Sequence, residues 1–192
     1  MTTPNAAVTE FLLTRRSHPA KTLTTPVPDR NAITELLTAA ARVPDHGKLE
    51  PWRFVVLTKA ALMRLSAAAA DYAAKTGIDP DKAAKGISQF GDANLIVAVI
   101  QSIKPSEKVP EIEQIHSAGA ACLGLVNAAL AAGWGACWLT GWVALDRGFA
   151  GPAFDLGPAE TVAGLIHIGT RTNTPPERPR PDIAAITTWA EQ

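Results

Sequence analysis

The sequence predicts an α+β fold, and three observations carry that expectation. Runs of β-branched and apolar residues, NLIVAVI at Asn94–Ile100 and VAGLIHIG within Thr161–Gly169, read as buried strands. Segments with apolar residues at helical spacing lie between and around them. The two kinds of element interleave with neither a strict βαβ repeat nor a G-x-G-x-x-G fingerprint after the first strand, so a Rossmann domain is not supported. With 192 residues, 47% of them apolar, residues 1–192 are expected to form one domain. A chain of that length buries roughly 70% of its unfolded surface.

The elements follow in order. Ala6 to Thr14 reads as a short helix that ends at a double arginine. Asp29 to Arg42 reads as a second, with Ile33, Leu36, Leu37 and Ala40 on one face and Pro44 ending it. Trp52 to Leu57 is a strand, and Lys59 to Lys75 an alanine-rich helix with Leu62, Leu65 and Ala69 on one side. For Gly77 to Gly91, composition favours a solvated connector over a short helix or a mobile lid. After the strand at Asn94–Ile100, Pro110 can open a long central helix at its first turn. In that helix Ala120, Gly124, Ala128 and Ala132 recur every four residues, a bare stripe that another backbone can approach, such as the same helix of a second chain. Trp134 to Thr140 and Thr161 to Gly169 are the last strands. The proline-rich TNTPPERPRP excludes helix and central strand, so residues 175–192 should run as an extended arm, with a weakly helical end at Asp182–Trp189.

Composition excludes several function classes. Eighteen basic residues balance eighteen acidic ones, which leaves no basic field to bind nucleic acid or an anionic membrane surface. From Gln114 to Leu145 there is no Asp, Glu, Lys or Arg. Alanine and glycine dominate that stretch, and Gly133-Trp134-Gly135 breaks it, so it reads as a buried helix and strand rather than a membrane span. Two cysteines in apolar segments, and an amino terminus whose charges follow its short apolar run, point to a cytoplasmic protein. The four histidines lie too far apart for a metal-ligand motif, and G-x-S-x-G and Walker A patterns are absent.

Candidate binding groups fall in three places. Arg15, Arg16 and Ser17, at the end of the first helix, offer two guanidinium forks and a hydroxyl to a phosphate; the same arginines also answer a helix macrodipole. Arg42, in the last turn of the second helix, carries the same two readings. PDHGKLEPWRF, from Pro44, sets Asp45, His46, Lys48 and Glu50 on a turn directly before a strand, where binding groups concentrate. Trp52, Trp138 and Trp142 are wall candidates for an apolar site, with core packing favoured for Trp52.

Four motifs in order, RRS at Arg15–Ser17, ARVPDHxxxxPWRF at Ala41–Phe54, GWGACWLTG at Gly133–Gly141 and GLIHIGT at Gly164–Thr170, resemble the nitroreductase superfamily, closest to its compact YdjA-like branch. The resemblance implies a three-layer sandwich with a central, mostly antiparallel sheet flanked by helices. It also implies an intertwined homodimer with tightly bound FMN at the subunit interface. Arg15, Arg16 and Ser17 match flavin contacts to the phosphate, ribityl chain and pyrimidine edge. Arg42 and His46 match further contacts of the branch, and Trp138, Leu139 and Thr140 match the strand end along the isoalloxazine. Arg178 and Arg180 resemble tail residues that reach the phosphate, in two possible registers. The chain departs from the pattern twice: the loop before Pro51-Trp52 lacks the family's asparagine, and Leu139 stands where the branch often has arginine. The implied activity is ping-pong transfer of two electrons from NAD(P)H to electron-poor acceptors such as nitroaromatics or quinones, with no dedicated catalytic acid. The alternatives are other flavin chemistry on the same scaffold, or a flavin-binding protein with little turnover.

Overall fold

The computed structural model describes residues 3–191. Asn5 caps helix α1 (Ala6–Thr14) by accepting the Val8 amide, and Asp29 caps α2 (Arg30–Ala40) by accepting that of Ala32. Between them lies the two-residue strand β1 (Leu23–Thr24). Strand β2 (Trp52–Thr58) leads into α3 (Lys59–Thr76), which stops at Gly77 with φ 69°, a left-handed conformation that suits glycine. Then come α4 (Pro80–Gly91), β3 (Leu95–Ser102), α5 (Glu111–Ala131), β4 (Gly135–Leu139), α6 (Trp142–Leu145), α7 (Arg147–Phe154) and β5 (Glu160–Arg171).

All strand pairs are antiparallel, in the order β1-β5-β3-β2, with β4 also on β5. Strand β5 binds β3 along Glu160–His167 and β4 along Leu165–Gly169, so β3 and β4 flank it on opposite edges. Helices cover both faces. On β3, Ile96, Ala98 and Ile100 join Leu62, Phe90, Phe149 and Leu165 beneath α3, α4 and α7. Leu95, Val97 and Val99 face the other way, onto Ile33, Leu36, Leu125 and Val126 of α2 and α5. That double burial explains a continuous apolar strand in an antiparallel sheet, and it makes the three-layer α+β sandwich that the family resemblance implies.

Three expectations are corrected. Residues 80–91 form helix α4, not a connector: Phe90 is fully buried, and Gly86 lies so close to the Trp142 indole that a Cβ would sit 2.1 Å from Nε1. Residues 182–189 make only turns, because their apolar side chains find nothing to pack on within the chain. At Gly124 the bare stripe of α5 is approached by α2 of the same chain, since a Cβ there would lie 3.2 Å from the Ala40 carbonyl oxygen. The face of α5 left open carries Ile112, His116, Gly119 and Leu123 instead.

Candidate functional site

The first helix buries no side chain, and Arg15 stands at its C-cap, where the chain turns toward the sheet. Two residues beyond Arg16, the His18 amide donates to Ala136 O of β4, which fixes Arg15–Ser17 beside that strand. Arg15 Nη2 donates to Ser17 Oγ at 3.1 Å, while its Nε is buried without a partner. Arg16 donates to the Pro176 carbonyl and stands 3.6 Å from the Glu177 carboxylate, whose other oxygen is 2.7 Å from Arg180 Nη2. The arm thus folds back and adds Arg180 to the pair at the front of the chain. Burial, then the charges of Arg180 and Arg16, pull the Arg15 guanidinium below its ordinary pKa. Glu177 is held below the usual carboxylate range, first by the Arg178 amide and then by Arg180 and Arg16. Arg178 contributes that amide, and its guanidinium makes no hydrogen bond or ion pair among the described residues.

Trp138 to Thr140 follow Ala136, the β4 residue that accepts from the His18 amide. Trp138 is 40% exposed and its Nε1 donates to Ala163 O at 3.2 Å. It lies against Gly164, where a Cβ would come within 2.1 Å of the indole nitrogen, so the glycine in GLIHIG makes room for it. Leu139 is half-buried in a small cavity with Lys21, Gln89 and His167, and the Thr140 carbonyl accepts from Gln89 Nε2 at 2.8 Å. Trp142 belongs elsewhere: it stacks on Tyr72, meets Phe149 edge-on and donates to Lys82 O, a core position rather than a site wall. Trp52 is likewise a packing residue, tied through Nε1 to Ser117.

The loop before β2 forms a second centre. Gly47, Lys48 and Glu50 all have positive φ, at 74°, 54° and 50°. For the two side-chain-bearing residues this costs about 1–3 kcal/mol each. The loop keeps that shape because the Asp45 carboxylate accepts both the Leu49 and Glu50 amides, at 3.1 and 2.9 Å. Helix α5 holds it from outside: Ser117 Oγ donates to Pro44 O at 2.7 Å and accepts from Trp52 Nε1 at 3.1 Å. His46 Nδ1 then sits 2.7 Å from Glu113 Oε2, at a cleft of about 340 Å³ that His116 and Ala120 also line. Arg42 is exposed, two residues beyond the end of α2. Among the described residues, no hydrogen bond or ion pair links Arg42 or His46 to the Arg15–Arg16–Arg180 cluster.

The remaining reactive groups are quenched by burial. It pushes the thiols of Cys122 and Cys137 up to about 12 and about 11, so neither is a thiolate at neutral pH. It also pulls His167 down to about 4, so that ring is neutral within β5.

The profile of the Nitroreductase family matches residues 12–170, which include the double arginine, the His46 loop, β4 and nearly all of β5. The chain belongs to the nitroreductase family. It is 35% identical over 163 residues to a Haemophilus influenzae protein provisionally named an NAD(P)H nitroreductase, covering 83% of this chain and 86% of that one. It is 32% identical over 161 residues to the Escherichia coli protein YdjA, also provisionally named an NAD(P)H nitroreductase, covering 84% and 86%. Among solved structures, a nitroreductase-like protein from Bacillus cereus superposes with a TM-score of 0.81 at 20% identity, over the whole of both chains. One from Desulfovibrio desulfuricans, solved in complex with FMN, superposes at 0.73 with 22% identity over 99% of each. At those identities the structures establish the nitroreductase fold.

Of the residues that the nitroreductase motifs single out, the structure brings Arg15, Arg16, Ser17 and Arg180 into one group next to β4. His46 lies in the loop before β2 and Arg42 in the turn after α2, neither with a hydrogen bond or ion pair to that group among the described residues. Residues that the motifs missed are Glu177, which stands between Arg16 and Arg180, and Glu113, which holds His46. Glu177 carried a faint signal as the lone acid of ERPR, but only the folding back of the arm gives it meaning.

Proposed function

We propose that this chain is an FMN-dependent oxidoreductase that takes hydride from NAD(P)H and passes two electrons to electron-poor acceptors such as nitroaromatics or quinones. In this reading it works as a cytoplasmic homodimer. Family membership supports it, as do the NAD(P)H in the relatives' names and the FMN bound by the Desulfovibrio protein.

The observation that carries the reading is the convergence of Arg16 and Arg180 on the Glu177 carboxylate, with Arg15 near enough to both guanidiniums for their charges to lower its pKa. Guanidinium groups repel one another unless an anion lies among them. Glu177 fills that role in the isolated chain, and the buried, unpartnered Arg15 Nε marks spare donor capacity. A phosphate has the same sign of charge and more acceptor oxygens, so these residues fit the phosphate end of FMN. Arg15, Arg16, Ser17 and Arg180 would hold that end, with Arg178 outside the group, and Trp138, Leu139 and Thr140 would lie along the ring. Bound FMN supplies the hydride chemistry; the chain supplies binding, orientation and a shared apolar pocket that donor and acceptor occupy in turn. Arg42 and His46 have no hydrogen bond or ion pair to the arginine cluster among the described residues, and we assign them to the other subunit's cofactor. Such a split site makes the dimer obligatory for binding.

The test is the visible spectrum of the purified protein before and after anaerobic NADH and NADPH, followed by a nitroaromatic or a quinone. The expected result is a yellow dimer that bleaches with reduced nicotinamide and recovers with the acceptor. Colourless monomeric protein that takes up no FMN at micromolar concentration overturns the reading.

A further inference from the structure

We propose that Glu113 is a positioning residue: it orients the His46 imidazole so that Nε2 is presented to the cofactor. The proposal rests on the reading of His46 as a flavin contact and deepens it. The geometry is direct. Glu113 Oε2 lies 2.7 Å from His46 Nδ1, so with the carboxylate ionised the hydrogen on that side belongs to Nδ1. In the neutral ring Nε2 is then a lone-pair acceptor, and in the protonated ring it is a donor; its direction is the same in both.

Two observations separate this contact from an ordinary surface ion pair. The side chains are 59% and 46% exposed, a setting in which a pair contributes little to stability. Yet everything beneath His46 is braced. Asp45 closes the loop on the Leu49 and Glu50 amides, two non-glycine residues hold positive φ, and Ser117 pins Pro44. Glu113 and Ser117 are one turn apart on α5, so a single rigid helix face holds both the loop backbone and the ring. Rigid support beneath a ring whose ion pair adds little stability is what a binding constellation requires. His116, Asp45 and Lys48 are the other charged or titratable groups nearby, and none has a hydrogen bond to the ring.

The competing role for Glu113 is structural, since it is an acid in the first turn of α5 and answers the helix dipole. Two measurements separate the roles. The first is FMN affinity, by titrating deflavinated protein with FMN for wild type, E113A, E113Q, H46A and H46A/E113A. E113A should weaken binding about tenfold. E113Q keeps an acceptor oxygen and should recover most of that loss, and E113A should add nothing in the H46A background. The second is the His46 tautomer in the neutral ring, by nitrogen-15 NMR. Wild type and E113Q should show hydrogen on Nδ1, and E113A should shift toward Nε2. Wild type that binds FMN while E113A is unchanged, or while E113A costs as much without His46 as with it, overturns the role of Glu113 alone. A wild type with hydrogen on Nε2 does the same. A wild type with the Nδ1 tautomer that takes up no FMN overturns the functional reading, and this role with it.

Discussion

Arg16 and Glu177 are opposite partners of one contact, so substituting each should move cofactor binding in opposite directions. The Arg16 side chain is only 15% exposed, but its polar contacts are to the arm, and α1 before it buries nothing. Arg16→Ala should therefore purify folded and largely free of flavin, read as loss of the visible flavin bands with an unchanged far-ultraviolet circular dichroism spectrum. Full occupancy at normal affinity counts against its role. Glu177→Gln keeps the shape of the side chain and removes its charge from among the arginines. If the carboxylate stands where the phosphate must go, this variant should bind FMN roughly fivefold more tightly. Weaker binding would mean that Glu177 organises Arg180 instead. At this scale the sequence is legible where chemistry is written in adjacent residues: Arg15, Arg16 and Ser17 lie together in the chain and in space. It is illegible where a residue acquires its role from a distant element. Glu113 is 67 positions from His46, and nothing in its own surroundings distinguishes it from the other acids that open α5.

Among the elements, the bidentate pair of Arg53 and Glu160 ties β2 to β5 across the intervening β3. Arg53 Nε and Nη2 meet the two carboxylate oxygens at 2.8 and 2.7 Å, and Nη2 also donates to Asp155 O beyond the end of α7. The Arg53 hydrogen bonds, more than any other cause, hold Glu160 at about 2 against an ordinary 4.5. A depressed carboxylate pKa contributes stability that is complete above the ordinary value and is lost as pH falls through the folded one. Glu160→Gln should thus lower the thermal midpoint at neutral pH and flatten its decline between about pH 5 and pH 2. A decline as steep as that of wild type would place the acid sensitivity elsewhere. The long strands and helices were readable because their pattern is carried by apolar spacing. The short ones were not: α6 has four residues, β1 has two, and α7 contains Gly148, Gly151 and Pro152, poor helix formers that tertiary contacts override. Helix α4 hid for another reason, since its polar outer face dominates its composition while Phe90 and the Gly86–Trp142 contact anchor it out of view.

For the whole molecule, eight of the twelve large apolar side chains left exposed among the described residues lie on three elements. Val8, Leu12 and Leu13 of α1, Ile112 and Leu123 of α5, and Ile183, Ile186 and Trp189 of the arm are exposed by half or nearly so, up to 81% for Trp189. These are the elements that carry or adjoin the two halves of the proposed site: α1 ends at Arg15, the arm delivers Arg180, and α5 braces the His46 loop. A second copy that covered the open face of α5 would bring the halves together, and Gly119, with open space around it, would allow close approach there. Leu123 tests this because it is 47% exposed on that face and does not line the His46 cleft. Leu123→Glu puts a charge into the proposed contact without disturbing a buried residue. It should yield a folded chain that sediments as a monomer and loses flavin in the same step, with both recovering together as protein concentration rises. A monomer that holds FMN at wild-type affinity would show that one chain suffices, and the assignment of Arg42 and His46 to the opposite subunit would fail.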